Sequence, residues 1–180
     1  MAFVSNAGVS IHYEVEGSGP PVTLMHGMGG SIDNWVRAGY VEALKGEYQL
    51  ILIDSRGFGA SDKPHDPAAY TREAKVSDVC AVLDDLGIDR AHYWGYSMGA
   101  SNGWAMGMLR PDRLRSLVIG GYPALPKPTT ERNRVKWESR TKLMRLGMDV
   151  YIAAMEIDRG PMAEANKKRL MANDKDAYAA

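Results

Sequence analysis

Continuous apolar runs alternate with helical periodicity over the first 125 residues, and this alternation most strongly limits the folds open to the chain. Apolar runs without polar alternation are typical of strands that are buried on both faces of a sheet. Strand-helix-strand repeats with short connections build a parallel sheet that helices cover on both sides. The sequence therefore predicts an α/β fold with a mostly parallel sheet and helices on both faces.

The boundaries of the predicted elements follow from the apolar runs and from the Gly and Pro residues between them. The predicted strands are Phe3–Ser5 and Val9–Glu16, which form a hairpin, then Val22–Met25, Tyr48–Ile53, Ala91–Tyr96 and Leu114–Ile119. The predicted helices are Asp33–Gly46, a segment from Thr71 to Gly87, and Met98–Arg110. Residues 126–180 have no strand pattern, so we expect a core over residues 1–125 and a helical segment over 126–180.

Composition excludes several classes of partner and cofactor. Basic and acidic residues number 22 each, whereas a chain held to nucleic acid by phosphate contacts normally carries a basic surplus. The single cysteine permits no disulfide within the chain. The sequence also lacks the Cys/His cluster that would indicate a metal site. No apolar run reaches membrane-spanning length, and the N-terminus lacks the pattern of a secretory signal. We therefore expect a cytoplasmic protein without metal, organic cofactor, nucleic-acid partner or membrane contact.

A serine stands between a predicted strand and a predicted helix, in the pentapeptide Gly95-Tyr96-Ser97-Met98-Gly99. A nucleophile on such a sharp turn stands clear of the sheet, and glycines on either side remove Cβ atoms that would clash. The N-terminal amides of the following helix favour negative charge beside the serine. The alternative is that Ser97 only caps this helix; the setting favours a nucleophile, with Gly95 and Gly99 framing it.

A glycine-rich stretch, His26-Gly27-Met28-Gly29-Gly30, follows another predicted strand. Acyl transfer needs two donors directed at the oxyanion, and backbone amides of such a turn supply them. The amides of Met28 and Met98 are the predicted donors, with Gly27 beside them. A simple turn or a phosphate loop is the alternative, although the Gly-Lys-Ser/Thr of a Walker loop is absent. His26 is expected to be a buried residue hydrogen-bonded within the loop.

Three segments together resemble the α/β-hydrolase fold family. They are His26–Ser31, Asp54–Asp62 and Gly95–Gly99, in the order and at the spacing of that family. The chain looks like the N-terminal two-thirds of a bacterial esterase or lactonase-type member, and residues 126–180 resemble the start of its cap. The resemblance implies that Ser97 is the nucleophile, that the Met28 and Met98 amides form the oxyanion hole, and that Asp54–Asp62 borders the site. An Asp in place of Ser97 would have suggested a dehalogenase or an epoxide hydrolase.

The catalytic base and acid are missing from the places where the resemblance puts them. In this family the acid and the histidine follow the serine, yet His12, His26, His65 and His92 all precede Ser97. Among these, His65 is the candidate base, because its loop begins near the expected site. Three explanations stay open: a base recruited from elsewhere, such as a second subunit; a piece of a longer enzyme; or a scaffold that has lost catalysis.

The resemblance implies that the strand Leu114–Ile119 lies at an open edge of the sheet, because this sequence has no counterpart of the seventh strand that covers it in the family. It carries one charge and no Pro, so it is poorly protected against pairing with another chain. We therefore expect a homo-oligomer through this edge, unless the helices after residue 129 cover it. The resulting prediction of function is a serine hydrolase that acts on small esters or lactones through an acyl-enzyme at Ser97. The alternative is a non-catalytic binding or assembly module on the same scaffold.

Overall fold

Six strands form one mixed sheet in the computed structural model, which describes residues 1–123 and 130–180, apart from the side chain of Arg132. The strands are β1 (Ala2–Asn6), β2 (Val9–Glu16), β3 (Pro21–Met25), β4 (Gln49–Ile53), β5 (Ala91–Tyr96) and β6 (Leu114–Gly120). Their spatial order is β1-β2-β4-β3-β5-β6. Strands β4, β3, β5 and β6 are parallel to one another, and β1 and β2 add an antiparallel hairpin at one side. The predicted mostly parallel sheet is confirmed.

Helices cover both faces of this sheet, as predicted. They are α1 (Asp33–Arg37), α2 (Tyr40–Leu44), α3 (Arg72–Asp85), α4 (Met98–Leu109), α5 (Glu131–Leu146), α6 (Met148–Arg159), α7 (Glu164–Met171) and α8 (Lys175–Ala179). The prediction of one helix over Asp33–Gly46 is wrong, because Gly39 adopts φ 79° and separates α1 from α2. This left-handed conformation interrupts a helix and is readily available only to glycine.

Strand β4 lies at the centre of the core and is buried on both faces. Ile51 and Ile53 belong to the apolar cluster beneath α3 and α4, whereas Leu50 and Leu52 belong to the cluster beneath α1 and α2. All four side chains are at most 1% exposed. Because successive side chains of a strand point to opposite faces, a continuous apolar run is what this position requires.

The carboxylate of Asp54, directly after β4, joins three segments. Its Oδ1 accepts a hydrogen bond from the Ile32 amide at 2.8 Å, and its Oδ2 accepts from the Ala60 amide at 2.9 Å. His12 Nδ1 lies 2.8 Å from Oδ2. Because Asp54 is buried, water competes little for these charge-assisted hydrogen bonds. One side chain thus holds the loop after β4 against β2 and against the glycine-rich loop that follows β3.

A buried ion pair fixes the same loop to α3. Arg56 donates through Nε and through one terminal nitrogen to the two carboxylate oxygens of Asp78, each at 2.6 Å. Asn6 donates to Asp78 as well, at 2.8 Å, and the other terminal nitrogen of Arg56 donates to the Ala69 carbonyl at 2.5 Å. A buried pair needs such additional hydrogen bonds to offset desolvation. The loop that begins at Asp54 is consequently held at both of its ends.

The helical segment packs at the carboxyl end of the parallel strands. Side chains of α5 to α8 form an apolar cluster with Phe58, and Met98 packs against it. The expectation of helices after residue 126 holds for the described residues 130–180. The expected boundary at residues 125 and 126 lies outside the described residues, so the division into a core and a helical segment stays a prediction. Among the described helices, none is both long and apolar enough to cross a membrane.

Strand β6 lies at one edge of the sheet. It is hydrogen-bonded to β5, and within the described residues it has no second strand neighbour. Val118 is 49% exposed. The open edge expected from the sequence is therefore present in this part of the chain.

Candidate active site

Ser97 occupies a strained turn between β5 and α4. Its backbone has φ 53° and ψ −109°, and its amide donates to the Gly120 carbonyl at 2.8 Å. A positive φ is costly for a residue with a Cβ and persists only where the surroundings impose it. The hydroxyl of Ser97 makes no capping hydrogen bond to α4. This geometry argues against the interpretation of Ser97 as an ordinary helix cap.

The backbone around Ser97 is packed so closely that three neighbouring positions leave little or no space for a side chain. A Cβ on Gly95 would lie 2.2 Å from the Gly99 carbonyl oxygen, and a Cβ on Gly99 would lie 2.2 Å from the Met25 carbonyl oxygen. A Cβ on Gly27 would approach the Cβ of Ser97 to 3.3 Å. The start of α4, the end of β3 and the glycine-rich loop therefore meet at the serine.

The amides predicted to form an oxyanion hole lie on the two segments that meet here. Met98 is the first residue of α4, where an amide has no partner within the helix. Met28 follows Gly27, in a turn that the Gly30 amide closes on the Gly27 carbonyl at 3.0 Å. Within the described part of the chain, neither Met amide donates a hydrogen bond to another group. Their use by an oxyanion stays a prediction.

Ser97 lines a cavity of about 410 Å³, a size suited to a small organic molecule. Three aromatic rings line part of the same cavity: Trp35, Tyr40 and Trp94, in mutual edge-to-face contact with centroids 5.0 to 5.5 Å apart. Tyr96, which directly precedes Ser97, lines the cavity as well.

Arg169 also lines this cavity, and sequence reasoning missed it. It is a half-buried residue of α7, and its guanidinium donates to the Gly29 carbonyl at 3.3 Å. In the sequence it is one of several basic residues on a polar helix, so no local pattern distinguishes it. Only the folding of α7 onto the glycine-rich loop brings it to the cavity.

His26 is buried in the floor of the cavity, and both of its ring nitrogens are engaged. Nδ1 lies 2.8 Å from the Gly27 carbonyl, and Nε2 accepts from the Ser55 amide at 3.1 Å. This pattern requires the neutral ring with its proton on Nδ1. Burial lowers the pKa of His26 below its ordinary value of 6.5. The expected role, a buried histidine hydrogen-bonded within its loop, agrees with this geometry.

The other three histidines lie away from the Ser97 cavity. His12 is bonded to Asp54, and His92 lies 2.7 Å from the Ser116 hydroxyl near the start of β5. His65, the candidate base, is exposed, and its Nε2 lies 3.2 Å from a carboxylate oxygen of Asp174. None of the three lines the cavity. The structure therefore does not bring the candidate base to the serine.

One group of side chains has the composition of a weak cation site. Ligand atoms of His65, Asp174 and Asp176 lie within 4.8 Å of one another. Asp174, however, already accepts from the amides of Asp176 and Ala177 and so caps α8. This arrangement accounts for the carboxylate without a metal.

Comparison with known proteins gives related chains of similar structure. A family model described as alpha/beta hydrolase fold matches residues 20–144. The chain is 36% identical to epoxide hydrolase 2 of Siraitia grosvenorii over 115 residues, which are 64% of this chain. It is 32% identical over 171 residues, 91% of its length, to RutD of Caulobacter segnis, which is named as a candidate carbamate hydrolase. The enol-lactonase of Burkholderia xenovorans LB400 matches 99% of the chain with a TM-score of 0.82 and 27% identity.

These proteins are all longer than the present chain. The chain spans 36% of the length of the epoxide hydrolase, 62% of RutD and 70% of the enol-lactonase. The likeness to the enol-lactonase includes the helical segment, because 99% of this chain is superimposed. Residues 20–144, which match the family model, contain the serine turn and the glycine-rich loop.

Replacing Ser97 by glycine should relieve the strain of the turn. We expect Ser97→Gly to have a free energy of unfolding about 1 kcal/mol above that of Ser97→Ala, because glycine adopts positive φ without a Cβ clash. Urea denaturation measures the difference. Ser101, in the interior of α4, is the control: there glycine should be about 1 kcal/mol less stable than alanine. If alanine were more stable than glycine at both positions, the result would contradict a strained backbone at Ser97.

Stability should fall on acidification because of His26. Its folded-state pKa is lowered, so below pH 6.5 the unfolded chain binds a proton that the folded chain does not. The free energy of unfolding should therefore decrease as pH falls from 6.5 towards the lowered pKa, by at most about 1.4 kcal/mol per pH unit. Urea titrations of the wild-type chain and His26→Gln over this range measure the slope, which should be smaller in the variant. Equal slopes in the two proteins would contradict the assignment of this pH dependence to His26.

Proposed function

The chain belongs to the α/β-hydrolase fold family, and we propose that it is a serine hydrolase that cleaves small esters or lactones through an acyl-enzyme at Ser97. One observation carries this proposal: Ser97 has φ 53° at the end of β5, beside a cavity and without a capping bond to α4. Strain of this kind is retained where a nucleophile must project from a turn.

The residue at the turn favours acyl chemistry over the other reactions of the relatives. An aspartate there would favour attack on an epoxide or a carbon–halogen bond, whereas this chain has a serine. A serine alkoxide forms acyl intermediates with esters, lactones and carbamates. The names enol-lactonase and candidate carbamate hydrolase, which two relatives carry, agree with this choice.

In the proposed reaction Ser97 Oγ forms a bond to the substrate carbonyl carbon while its proton passes to a base. The carbonyl oxygen becomes an oxyanion that accepts hydrogen bonds from the Met28 and Met98 amides, a contribution that can reach several kcal/mol. The bond from carbon to the alcohol oxygen then breaks, and the alcohol leaves with the proton. Water attacks the acyl carbon next, which releases the acid and restores the hydroxyl of Ser97.

The base in this scheme is not assigned to a histidine of this chain. Among the described residues that line the cavity, His26 is the one histidine, and both of its nitrogens are engaged. Serine enzymes without their base retain roughly 10³–10⁴-fold acceleration over water. A base from a further polypeptide segment or from a second copy would raise this rate. If no base reaches the site, the alternative is a scaffold that binds small molecules without turning them over.

Active-site labelling separates the enzyme from the binding scaffold. A fluorophosphonate should modify one residue, Ser97, and p-nitrophenyl acetate should give a burst of p-nitrophenol followed by slower turnover. Ser97→Ala should abolish both, because Ser97 is the proposed nucleophile and no other serine of the described residues lines the cavity. Mass spectrometry of the labelled peptide identifies the site, and Ser101→Ala is the control that should retain labelling. Turnover that survives in Ser97→Ala would refute the proposal.

The open edge of β6 supports a further part of the proposal, association with a second copy. Strand β6 has no second strand neighbour within the described residues, and unpaired backbone groups at a sheet edge favour pairing between chains. An antiparallel pair of β6 strands about a two-fold axis would join two sheets into one.

A charge on the edge tests this association. Val118→Lys should shift the chain from dimer to monomer in size-exclusion chromatography with light scattering at micromolar concentration, because charged edge strands resist pairing. Ile157→Lys is the matched control, since Ile157 is 89% exposed and lies on helix α6, outside β6. A monomeric wild-type chain, or an unchanged mass for Val118→Lys, would contradict pairing through β6.

A further inference from the structure

A second and larger cavity adjoins the Ser97 cavity. It has a volume of about 670 Å³ and lies between the glycine-rich loop, α1 and α7. Asn34, Ala38 and Arg169 line both cavities. A molecule of moderate size can therefore place one end beside Ser97 and the other in this second space.

The second cavity has an excess of positive charge. Its lining contains four basic residues and one carboxylate, Asp33; the basic residues are Arg37, Lys63, Lys168 and Arg169. Arg37 is paired with Asp33 at 3.1 Å. Within the described residues, Lys63, Lys168 and Arg169 have no carboxylate within 4.0 Å, whereas the neighbouring Lys167 pairs with Glu156 and Glu164. Three cations thus face or border one space without a counter-charge from the described part of the protein.

Arg169 is the member of this group that is best placed to bind a ligand. It is half-buried, and its hydrogen bond to the Gly29 carbonyl orients the guanidinium at the junction of the two cavities. A guanidinium has five N–H donors in a planar fork, so the contact with Gly29 leaves donors for a carboxylate or phosphate. Lys63 is held as well, by its ammonium contacts with the carbonyls of Gly59 and Ser61 at 2.7 and 2.8 Å.

We infer that the substrate of this site is an anion: a small ester or lactone whose carboxylate or phosphate binds Arg169, with Lys63 and Lys168 nearby, while its reactive carbonyl lies at Ser97. This assignment rests on the proposed function for the reaction, but the anion site itself does not depend on turnover. A charged group held at the junction orients the carbonyl, and the basic lining attracts anionic substrates from solution. Arg169 is then a specificity-determining residue.

The anion site is tested first by binding, in a chain that cannot react. Ser97→Ala is titrated with glutarate, with phenyl phosphate and with the neutral glutaramide, and amide chemical shifts in NMR spectra report binding. We expect either or both anions to shift residues of the glycine-rich loop and α7, and glutaramide to leave them unchanged. Preference for glutarate or for phenyl phosphate distinguishes a carboxylate ligand from a phosphate ligand. Absence of binding by both anions would overturn the inference.

A second substitution in the same background assigns binding to Arg169. Arg169→Gln should raise the Kd for the bound anion by about ten- to a hundredfold, the usual effect of losing a charge-assisted hydrogen bond, and Arg169→Lys should recover part of it. Arg159→Gln is the matched control, since Arg159 lies at the end of α6 outside both cavities. An equal increase in Kd in the Arg159 and Arg169 variants would show a nonspecific charge effect and overturn the inference.

Turnover gives the second readout in the chain with Ser97 present. We expect kcat/KM for mono-p-nitrophenyl glutarate to exceed that for p-nitrophenyl acetate, and Arg169→Gln to lower the ratio of the first value to the second about tenfold or more. An unchanged ratio would overturn the inference, because it would show that Arg169 supports the glycine-rich loop without contacting the anion. If neither ester is hydrolysed but glutarate binds through Arg169, the proposed function fails and the anion site stands.

Discussion

The close approach of three backbone segments at Ser97 is the constraint on which the candidate site depends. The first turn of α4 packs on the end of β3 so tightly that a Cβ on Gly99 would lie 2.2 Å from the Met25 carbonyl oxygen. This contact is possible only between backbones, and it holds Ser97 at φ 53°. Because the glycine-rich loop leaves β3 at the same point, the predicted oxyanion donors, Met28 and Met98, belong to segments that meet at Ser97. The proposed nucleophile and the proposed donors therefore depend on one packing arrangement.

The loops around Ser97 are stabilised by a neutral histidine and by acidic and basic side chains that have hydrogen-bonding partners. Asp54 accepts hydrogen bonds from the loops on both sides of it, and Arg56 is paired with Asp78 beneath the same loop. His26, although it lines the cavity, serves as a hydrogen-bonding link between the backbone at Gly27 and that at Ser55. Its burial and both of its contacts suit a neutral structural ring better than a base. Within the described residues, the cavity thus contains a serine on a strained turn and one histidine, both of whose ring nitrogens are engaged.

The helical segment contributes both apolar cover and charge. Its apolar side chains pack around Phe58 and against Met98, so they shield the outer side of the serine turn. Its polar face supplies Arg169 and Lys168 to the adjoining cavity. A segment that packs over the strand ends can in this way select substrates without touching the reacting atoms.

Local patterns in the sequence were sufficient to predict the strands, most helices and the serine turn, because apolar periodicity and glycine spacing act over a few residues. Strand β5 and the start of α4 at Met98 agree with the prediction, and so does the mostly parallel sheet. Gly39 shows the limit, since nothing in its neighbours indicates that it adopts φ 79° and splits a helix. The hydrogen bonds of Asp54, the burial of His26, the distance of His65 from the cavity and the position of Arg169 were decided only by tertiary structure. Each depends on contacts between segments far apart in the chain, and such contacts leave no local pattern in the residues that make them.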